Sequence, residues 1–243
     1  MRIKVEFETK QETLPLEYRR KFISYLKSAL EDYNEDLYAA LYESGHTPKS
    51  FCFSIYFLPE ATVAKEGVTL HSKRFIACFI TPDVLMGVHL INALLGRGKR
   101  WVPLADCQNQ LKILSVTKVQ EYPITGNTVA FKILSPVVVR DHGKKEGRDW
   151  YLTFEDEEFE SVWKRNLKSE LQHTFGRDVR SDVDALQLKP IHLKKTVVLN
   201  YGIYIPSTLG NFVLEGEKYL LDYLYKAGIG SKRALGFGCL DIL

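Results

Sequence analysis

The alternation of apolar and polar residues predicts the same order of strands and helices in both halves of this 243-residue chain. The elements expected in the first half are a strand over 2–8, a helix from Pro15 to about residue 30, a short helix over 36–43, strands over 50–58 and 74–81, a helix over 82–95 and a strand over 111–119. Apart from the extra short helix, this is the β-α-β-β-α-β order of the ferredoxin-like fold.

A linker over 120–128, with Pro123 and Gly126, precedes the second half. The elements expected there are a strand over 127–140 interrupted at Pro136, a hairpin partner over 150–154 across the polar turn 141–149, a helix over 156–175, a strand over 194–205, a helix over 215–226 and a final strand over 235–243. The sequence therefore predicts an α+β chain with two tandem ferredoxin-like domains, over 1–120 and 127–243.

The helix over 82–95 carries the most specific packing expectation. Thr81 is expected to cap it and Pro82 to open it. Its buried stripe is expected to consist of Val84, Leu85, Val88, Ile91, Leu94 and Leu95.

Composition excludes several classes of protein. Hydrophobic residues make up 45% and charged residues 26%, as in ordinary globular proteins. No apolar run approaches the ~20 residues of a membrane span. The N-terminus alternates and is charged, unlike a secretory signal. The four cysteines lie far apart without a CxxC pair, which predicts reduced thiols and no zinc site. We therefore expect a cytoplasmic protein without a membrane partner, metal or cofactor.

A glycine-rich basic segment, GIGSKRALGFG, spans residues 228–238. It is not a dinucleotide fingerprint, because Gly228 and Gly230 follow a helix and Gly236 comes six residues later. It is not a phosphate loop of the Walker type either, because Ser231 rather than glycine precedes Lys232.

The composition of this segment is equally consistent with two interpretations. In one, backbone N–H groups at Gly228 and Gly230 approach an RNA phosphate while Lys232 and Arg233 add positive charge. In the other, Gly228 ends a helix and later glycines allow strands to pack closely. The residues alone do not separate the two.

Three segments in order carry a family resemblance. They are "LYESGHTPKSFCFS" (41–54), "SPVVVR" with "YLTFEDEEFESVWKRNL" (135–167), and the glycine-rich segment. Together they resemble the CRISPR-associated endoribonucleases that process repeat transcripts into guide RNAs, in the superfamily of tandem ferredoxin-like repeat-associated proteins. The resemblance implies a slow, metal-independent RNase for CRISPR repeat RNA that leaves 5′-hydroxyl and 2′,3′-cyclic phosphate ends. The first alternative is a non-catalytic RNA-binding subunit of a CRISPR effector complex, and the second is an unrelated ferredoxin-like metabolic or regulatory domain.

The candidate catalytic residues follow the first helical segment. Attack by a ribose 2′-OH needs a base, an acid and a cation near the phosphate, and imidazole suits either proton role. By the resemblance, His46 is the expected acid–base, assisted by Lys49 and by Tyr42 or Tyr38. Relatives often carry histidine where this chain has Tyr42, so either His46 has taken over its role or the nuclease is weakened or inactive.

The expected RNA contacts combine the glycine-rich segment with the hairpin of the second half. They are Gly228, Gly230, Lys232, Arg233, Arg140, Lys144, Lys145 and Arg148. The expected partner is CRISPR repeat RNA, and the sequence leaves open a homodimer and further effector subunits.

Overall fold

The computed structural model describes residues 1–45, 49–142, 150–172 and 174–243. The chain forms two compact units. The first consists of Met1–Glu121, Leu199–Ile203 and Ala234–Gly236, and the second of Tyr122–Val198, Tyr204–Arg233 and Phe237–Leu243. Two short segments that the sequence-based division assigns to the second half therefore belong to the first unit.

The first unit contains a ferredoxin-like arrangement. Its elements in chain order are β1 (Arg2–Thr9), β2 (Thr13–Leu14), α1 (Tyr18–Tyr33), α2 (Glu35–Tyr42), β3 (Cys52–Phe57), β4 (Thr62–Ala64), β5 (Gly67–Thr69), β6 (Arg74–Ile80), α3 (Val84–Gly96), β7 (Val102–Pro103) and β8 (Gln110–Val119). The main sheet has the order β3-β6-β1-β8-β7, and β2, β5 and β4 form a small second sheet. The four main strands in chain order are β1, β3, β6 and β8. The first of them, β1, lies between the third, β6, and the fourth, β8, which is the ferredoxin-like topology, as predicted.

Helix α1 lies on this sheet through its apolar stripe. Phe22, Leu26 and Leu30 are almost fully buried, at the spacing of four that places residues on one helix face. Phe22 meets Phe7 of β1 edge to face and Phe53 of β3 in a tilted pair. The opposite face of α1 carries polar side chains, and one of them belongs to the candidate site.

The predicted face of α3 was wrong at four of its six positions, whereas Leu94 is buried and Ile91 is half-buried, as predicted. Val84, Leu85, Val88 and Leu95 are exposed, and the buried residues of the helix are Met86, Gly87, Leu90, Ala93 and Leu94. The predicted cap was also wrong, since Asp83 accepts the Met86 N–H at 3.1 Å. Thr81 instead accepts the Asp83 N–H and donates to the Ser50 carbonyl. The cause is that α3 is apolar almost all round, so periodicity does not single out the buried side.

The second unit repeats the topology. Its elements are β9 (Thr128–Ile133), β10 (Val139–Asp141), β11 (Trp150–Leu152), α4 (Phe159–Leu171), α5 (Arg180–Ala185), β12 (Gln187–Asn200), β13 (Ile203–Glu215), α6 (Lys218–Ala227) and β14 (Leu240–Ile242). The sheet order is β12-β13-β9-β14, and β10 pairs with β11 as the predicted hairpin. Its core includes Phe131, Trp163, Phe212, Leu224 and Tyr225.

The single strand predicted over 194–205 was wrong. Two long strands, β12 and β13, occupy this region and meet at the two-residue turn Tyr201–Gly202. Both turn residues have a left-handed backbone, with φ of 52° and 74°. A two-residue turn of this kind matches the twist of antiparallel strands. The left-handed conformation suits glycine, but it costs a residue such as tyrosine about 1–2 kcal/mol.

The glycine-rich segment has a clear structural role. Gly228 ends α6 with φ 82°, and its N–H donates to the Leu224 carbonyl. A Cβ at Gly230 would lie 2.5 Å from the Val138 carbonyl oxygen, and one at Gly238 only 1.9 Å from that of Ile229. The cap-and-packing interpretation of these glycines is therefore confirmed, whereas their contact with RNA stays a prediction.

Candidate active site

Two lysines meet over one tyrosine ring in the first unit. Lys27 Nζ lies 4.5 Å and Lys49 Nζ 4.7 Å from the centroid of the Tyr42 ring. In the part of the chain that the structure describes, neither ammonium group is paired with a carboxylate. Two such charges, held by one aromatic ring, form a place where an anion would be stabilised. We call Lys27, Tyr42 and Lys49 the lysine–tyrosine cluster.

Three different elements supply the cluster. Lys27 lies on the polar face of α1, Tyr42 is the last residue of α2, and Lys49 precedes β3. Helix α2 is fixed at its start by Asn34, whose side chain accepts the Leu37 N–H at 2.8 Å. Its acidic first turn also complements the helix dipole.

The surroundings of the cluster shift the pKa values of Tyr42 and Lys49 in opposite directions. Burial, followed by the neighbouring hydroxyls of Tyr38 and Tyr201, raises the pKa of Tyr42 well above its ordinary value. Burial, followed by the charge of Lys27, lowers the pKa of Lys49. Near neutral pH, Tyr42 is therefore a hydrogen-bond donor rather than a base. Lys49 gives up its proton more readily than an ordinary lysine.

The predicted catalytic residues are placed as follows. Tyr42 and Lys49 come together, and the Tyr38 ring lies beside that of Tyr42 in a tilted pair, with ring centroids 5.3 Å apart. His46 lies outside the described residues, so its role stays a prediction. Sequence reasoning missed Lys27. Its position at the border of the polar side of α1, next to the buried stripe with Leu26 and Leu30, was a visible but nonspecific signal.

A further aromatic residue of the first unit lies against the beginning of α1. Tyr201, in the turn between β12 and β13, has 49% of its surface exposed. The guanidinium of Arg20 lies over its ring, 5.3 Å from the centroid. The adjacent Gly202 N–H donates to the Glu17 carboxylate at 2.9 Å. Tyr201 is therefore held by residues at the beginning of α1 while its ring stays accessible.

In the second unit, two of the predicted RNA contacts share one neighbour. Arg140 of β10 pairs directly with Tyr151 of β11, which puts their side chains on one face of the hairpin. Lys232 Nζ lies 5.6 Å from the centroid of the same Tyr151 ring. Lys144, Lys145 and Arg148 lie outside the described residues.

Arg233 differs from Lys232. Its guanidinium donates to the Glu170 carboxylate at 2.6 Å, and its side chain is only 17% exposed. The Tyr223 hydroxyl donates to the same carboxylate oxygen, also at 2.6 Å. Arg233 thus joins α4 and α6 to the glycine-rich segment, and its charge is already compensated within the second unit.

Comparison with known proteins identifies the family of the chain. The family model described as CRISPR associated protein Cas6, C-terminal, matches residues 117–242, just over half of the chain. The chain belongs to the Cas6 family. Its similarity to a curated Cas6 protein extends along nearly the whole chain. The CRISPR-associated endoribonuclease Cas6 1 of Methanocaldococcus jannaschii is 24% identical over 98% of this chain and 91% of its own length.

Solved structures related to Cas6 share the fold. The structure of a Cas6-related gene product from Pyrococcus furiosus superimposes with a TM-score of 0.86 at 20% identity, covering 100% of this chain and 98% of that one. A RAMP protein described as binding different RNA substrates superimposes with a TM-score of 0.83, also at 20% identity, over 100% and 99%. These matches confirm the tandem ferredoxin-like fold.

None of the helices in the described residues is both long and apolar enough to cross a membrane. The same residues contain no group of three or more His, Cys, Asp or Glu side chains arranged to hold a metal ion.

Proposed function

We propose that this Cas6-family chain is an endoribonuclease that cuts CRISPR repeat RNA at the lysine–tyrosine cluster by a metal-independent acid–base mechanism. The observation that carries the proposal is the convergence of Lys27 and Lys49 on Tyr42. The curated Cas6 relative, which is named an endoribonuclease, supports the same activity.

The proposed reaction is an internal transfer of the phosphodiester. The 2′-oxygen loses its proton and attacks the adjacent phosphorus, and the bond from phosphorus to the 5′-oxygen breaks. That 5′-oxygen takes up a proton, which leaves a 2′,3′-cyclic phosphate and a 5′-hydroxyl. Negative charge grows on the phosphate oxygens in the transition state, where fixed cations are most effective.

Each cluster residue has a role suited to its proton affinity. Lys27 and Lys49 stabilise the charge on the phosphate. Tyr42, kept protonated by its surroundings, donates a hydrogen bond to the phosphate or the ribose. His46 transfers the protons, as the resemblance implies. Because burial and Lys27 lower its pKa, Lys49 is also suited to protonate the leaving 5′-oxygen.

The second unit would hold the RNA backbone. Lys232 and Arg140 beside Tyr151 are the proposed phosphate contacts in the described residues, with Lys144, Lys145 and Arg148 proposed from the sequence. Such contacts should make binding fall steeply with salt, because each neutralised phosphate releases counterions.

The test is a single-turnover cleavage assay in EDTA with a repeat-containing transcript. We expect one cut per repeat with a 5′-hydroxyl and a cyclic phosphate, and no cut when a 2′-deoxy sugar precedes the linkage. Intact native RNA that nevertheless binds would refute the proposal and favour the RNA-binding subunit.

Variants locate the site within the first unit. Lys49→Met should slow cleavage roughly 10²–10³-fold, the usual effect of removing one transition-state donor. His46→Ala should slow it about 10²-fold or more, the usual contribution of an acid–base residue. Lys65→Met, at an exposed lysine elsewhere in the first unit, is the matched control and should cut normally.

A further inference from the structure

Tyr201 occupies a position where tyrosine is disfavoured. In a two-residue turn with both residues left-handed, the first is usually asparagine, aspartate or glycine. Tyr201 adopts φ 52° there. Only about half of the residue's surface is buried in return, since 49% stays exposed. A costly backbone conformation that presents an exposed ring suggests that the ring itself has a use.

The turn is held in place by α1. The Gly202 N–H donates to Glu17 and the Arg20 guanidinium lies over the Tyr201 ring. Arg20 and Lys27 are seven residues apart on α1, so they lie on the same face about two turns, or ~10 Å, from each other. Tyr201 accompanies Arg20, and Tyr42 accompanies Lys27.

This arrangement places an accessible aromatic ring against Arg20, on the face of α1 that also carries Lys27 of the lysine–tyrosine cluster. The influence of Tyr201 on the pKa of Tyr42 agrees with their closeness. Aromatic rings backed by a guanidinium and flanked by cationic groups are suited to unpaired nucleobases, whose faces stack on the ring while the cations meet the phosphates.

We infer that Tyr201 is a stacking platform for a nucleobase of the RNA close to the cut linkage, with Arg20 as the support beneath the ring. The inference rests on the proposed function and adds a base-binding site to it. The role of Tyr201 is to position the RNA, and it takes no part in proton transfer.

The test compares Tyr201→Asn with Tyr201→Phe in the full chain. Asparagine suits the turn, so Tyr201→Asn should melt at the same or a higher temperature than the unaltered protein. Binding is measured with a repeat RNA that carries a 2′-deoxy sugar at the cut linkage. Tyr201→Asn should weaken binding roughly 5- to 150-fold, the range that corresponds to loss of one base–aromatic stack. Tyr201→Phe should bind normally.

Two further measurements make the result specific. Tyr56→Thr removes another exposed tyrosine of the first unit and should bind like the unaltered protein. RNAs with a single abasic site at successive positions around the cut should identify one position whose loss weakens binding to the unaltered protein but not to Tyr201→Asn. That pattern is a coupling between one base and one ring.

The outcomes distinguish the inference from the function. If native RNA is cut and Tyr201→Asn binds normally, the stacking platform is refuted while the endoribonuclease stands. If Tyr201→Asn loses affinity with the expected coupling but no variant cuts native RNA, the platform stands and the endoribonuclease is refuted. An equal loss of RNA affinity in Tyr201→Phe would also overturn the inference. So would a loss of affinity in Tyr201→Asn that is not coupled to any base.

Discussion

Gly238→Ala is expected to destabilise the second unit much more than Gly176→Ala. Both glycines have a left-handed backbone, with φ of 72° and 63°. Nothing lies within 4 Å of a Cβ built at Gly176, whereas a Cβ at Gly238 would be 1.9 Å from the Ile229 carbonyl oxygen. The contact cannot easily relax, because the Ile229 N–H donates to the Gly238 carbonyl and the Gly238 N–H donates to Pro136.

The size of the difference follows from these contacts. The left-handed conformation costs alanine about 1–2 kcal/mol at either position. At Gly238, overpacking adds about 1–3 kcal/mol. A displaced backbone hydrogen bond there adds about 1 kcal/mol more. The excess of Gly238→Ala over Gly176→Ala is therefore about 2–4 kcal/mol of unfolding free energy.

Thermal unfolding followed by circular dichroism measures this excess. At about 2–4 °C per kcal/mol for a protein of this size, Gly238→Ala should melt roughly 4–16 °C below Gly176→Ala. Equal melting temperatures would show that the close approach of the two backbones is wrong. A stable Gly238→Ala variant that fails to bind RNA would instead assign this glycine to the ligand.

Three other changes test separate parts of the account. Lys27→Met removes the charge that helps to lower the pKa of Lys49. The pKa of Lys49 should therefore rise, which a titration of labelled lysine followed by NMR would show. An unchanged Lys49 titration would contradict the closeness of the two lysines in the cluster. Leu90→Ala should cost about 2–5 kcal/mol of stability, whereas Leu85→Ala should stay within about 0.5 kcal/mol; the reverse order in denaturant unfolding would restore the face of α3 that the sequence predicted. Lys232→Ala should reduce the slope of log affinity against log salt by about 1 for one lost phosphate contact, and an unchanged slope would remove Lys232 from the RNA interface.

The repeated topology could be predicted because alternation and helical spacing are local signals. Residues 2–8 alternate cleanly, and the stripe from Phe22 to Leu30 repeats every four residues. The buried face of α3 could not be predicted, because Leu85 and Leu90 are equally apolar and only the packed sheet decides which is covered. In a helix that is apolar on nearly all sides, the spacing of apolar residues does not show which face is buried.

The roles of Lys27 and Tyr201 could not be predicted, because the neighbours of both residues are brought to them by long-range packing. Lys27 lies fifteen residues before Tyr42, on a helix face that looks like any solvated surface. Tyr201 lies in a stretch, VVLNYGIYI, whose strand propensity is continuous, and the usual Asn-Gly signal of a tight turn is absent because tyrosine stands in the first turn position. Pairs such as Lys27 with Tyr42, or Arg20 with Tyr201, become visible only in three dimensions.

The most direct test of the central claim is a cross-link between the RNA at its cut linkage and the protein. A repeat RNA with a 2′-deoxy sugar at that linkage and a photoreactive nucleotide beside it would be irradiated in the complex, and the labelled peptides identified by mass spectrometry. The account predicts label on peptides that contain Lys27, Tyr42 or Lys49. Label confined to peptides of the second unit would contradict it.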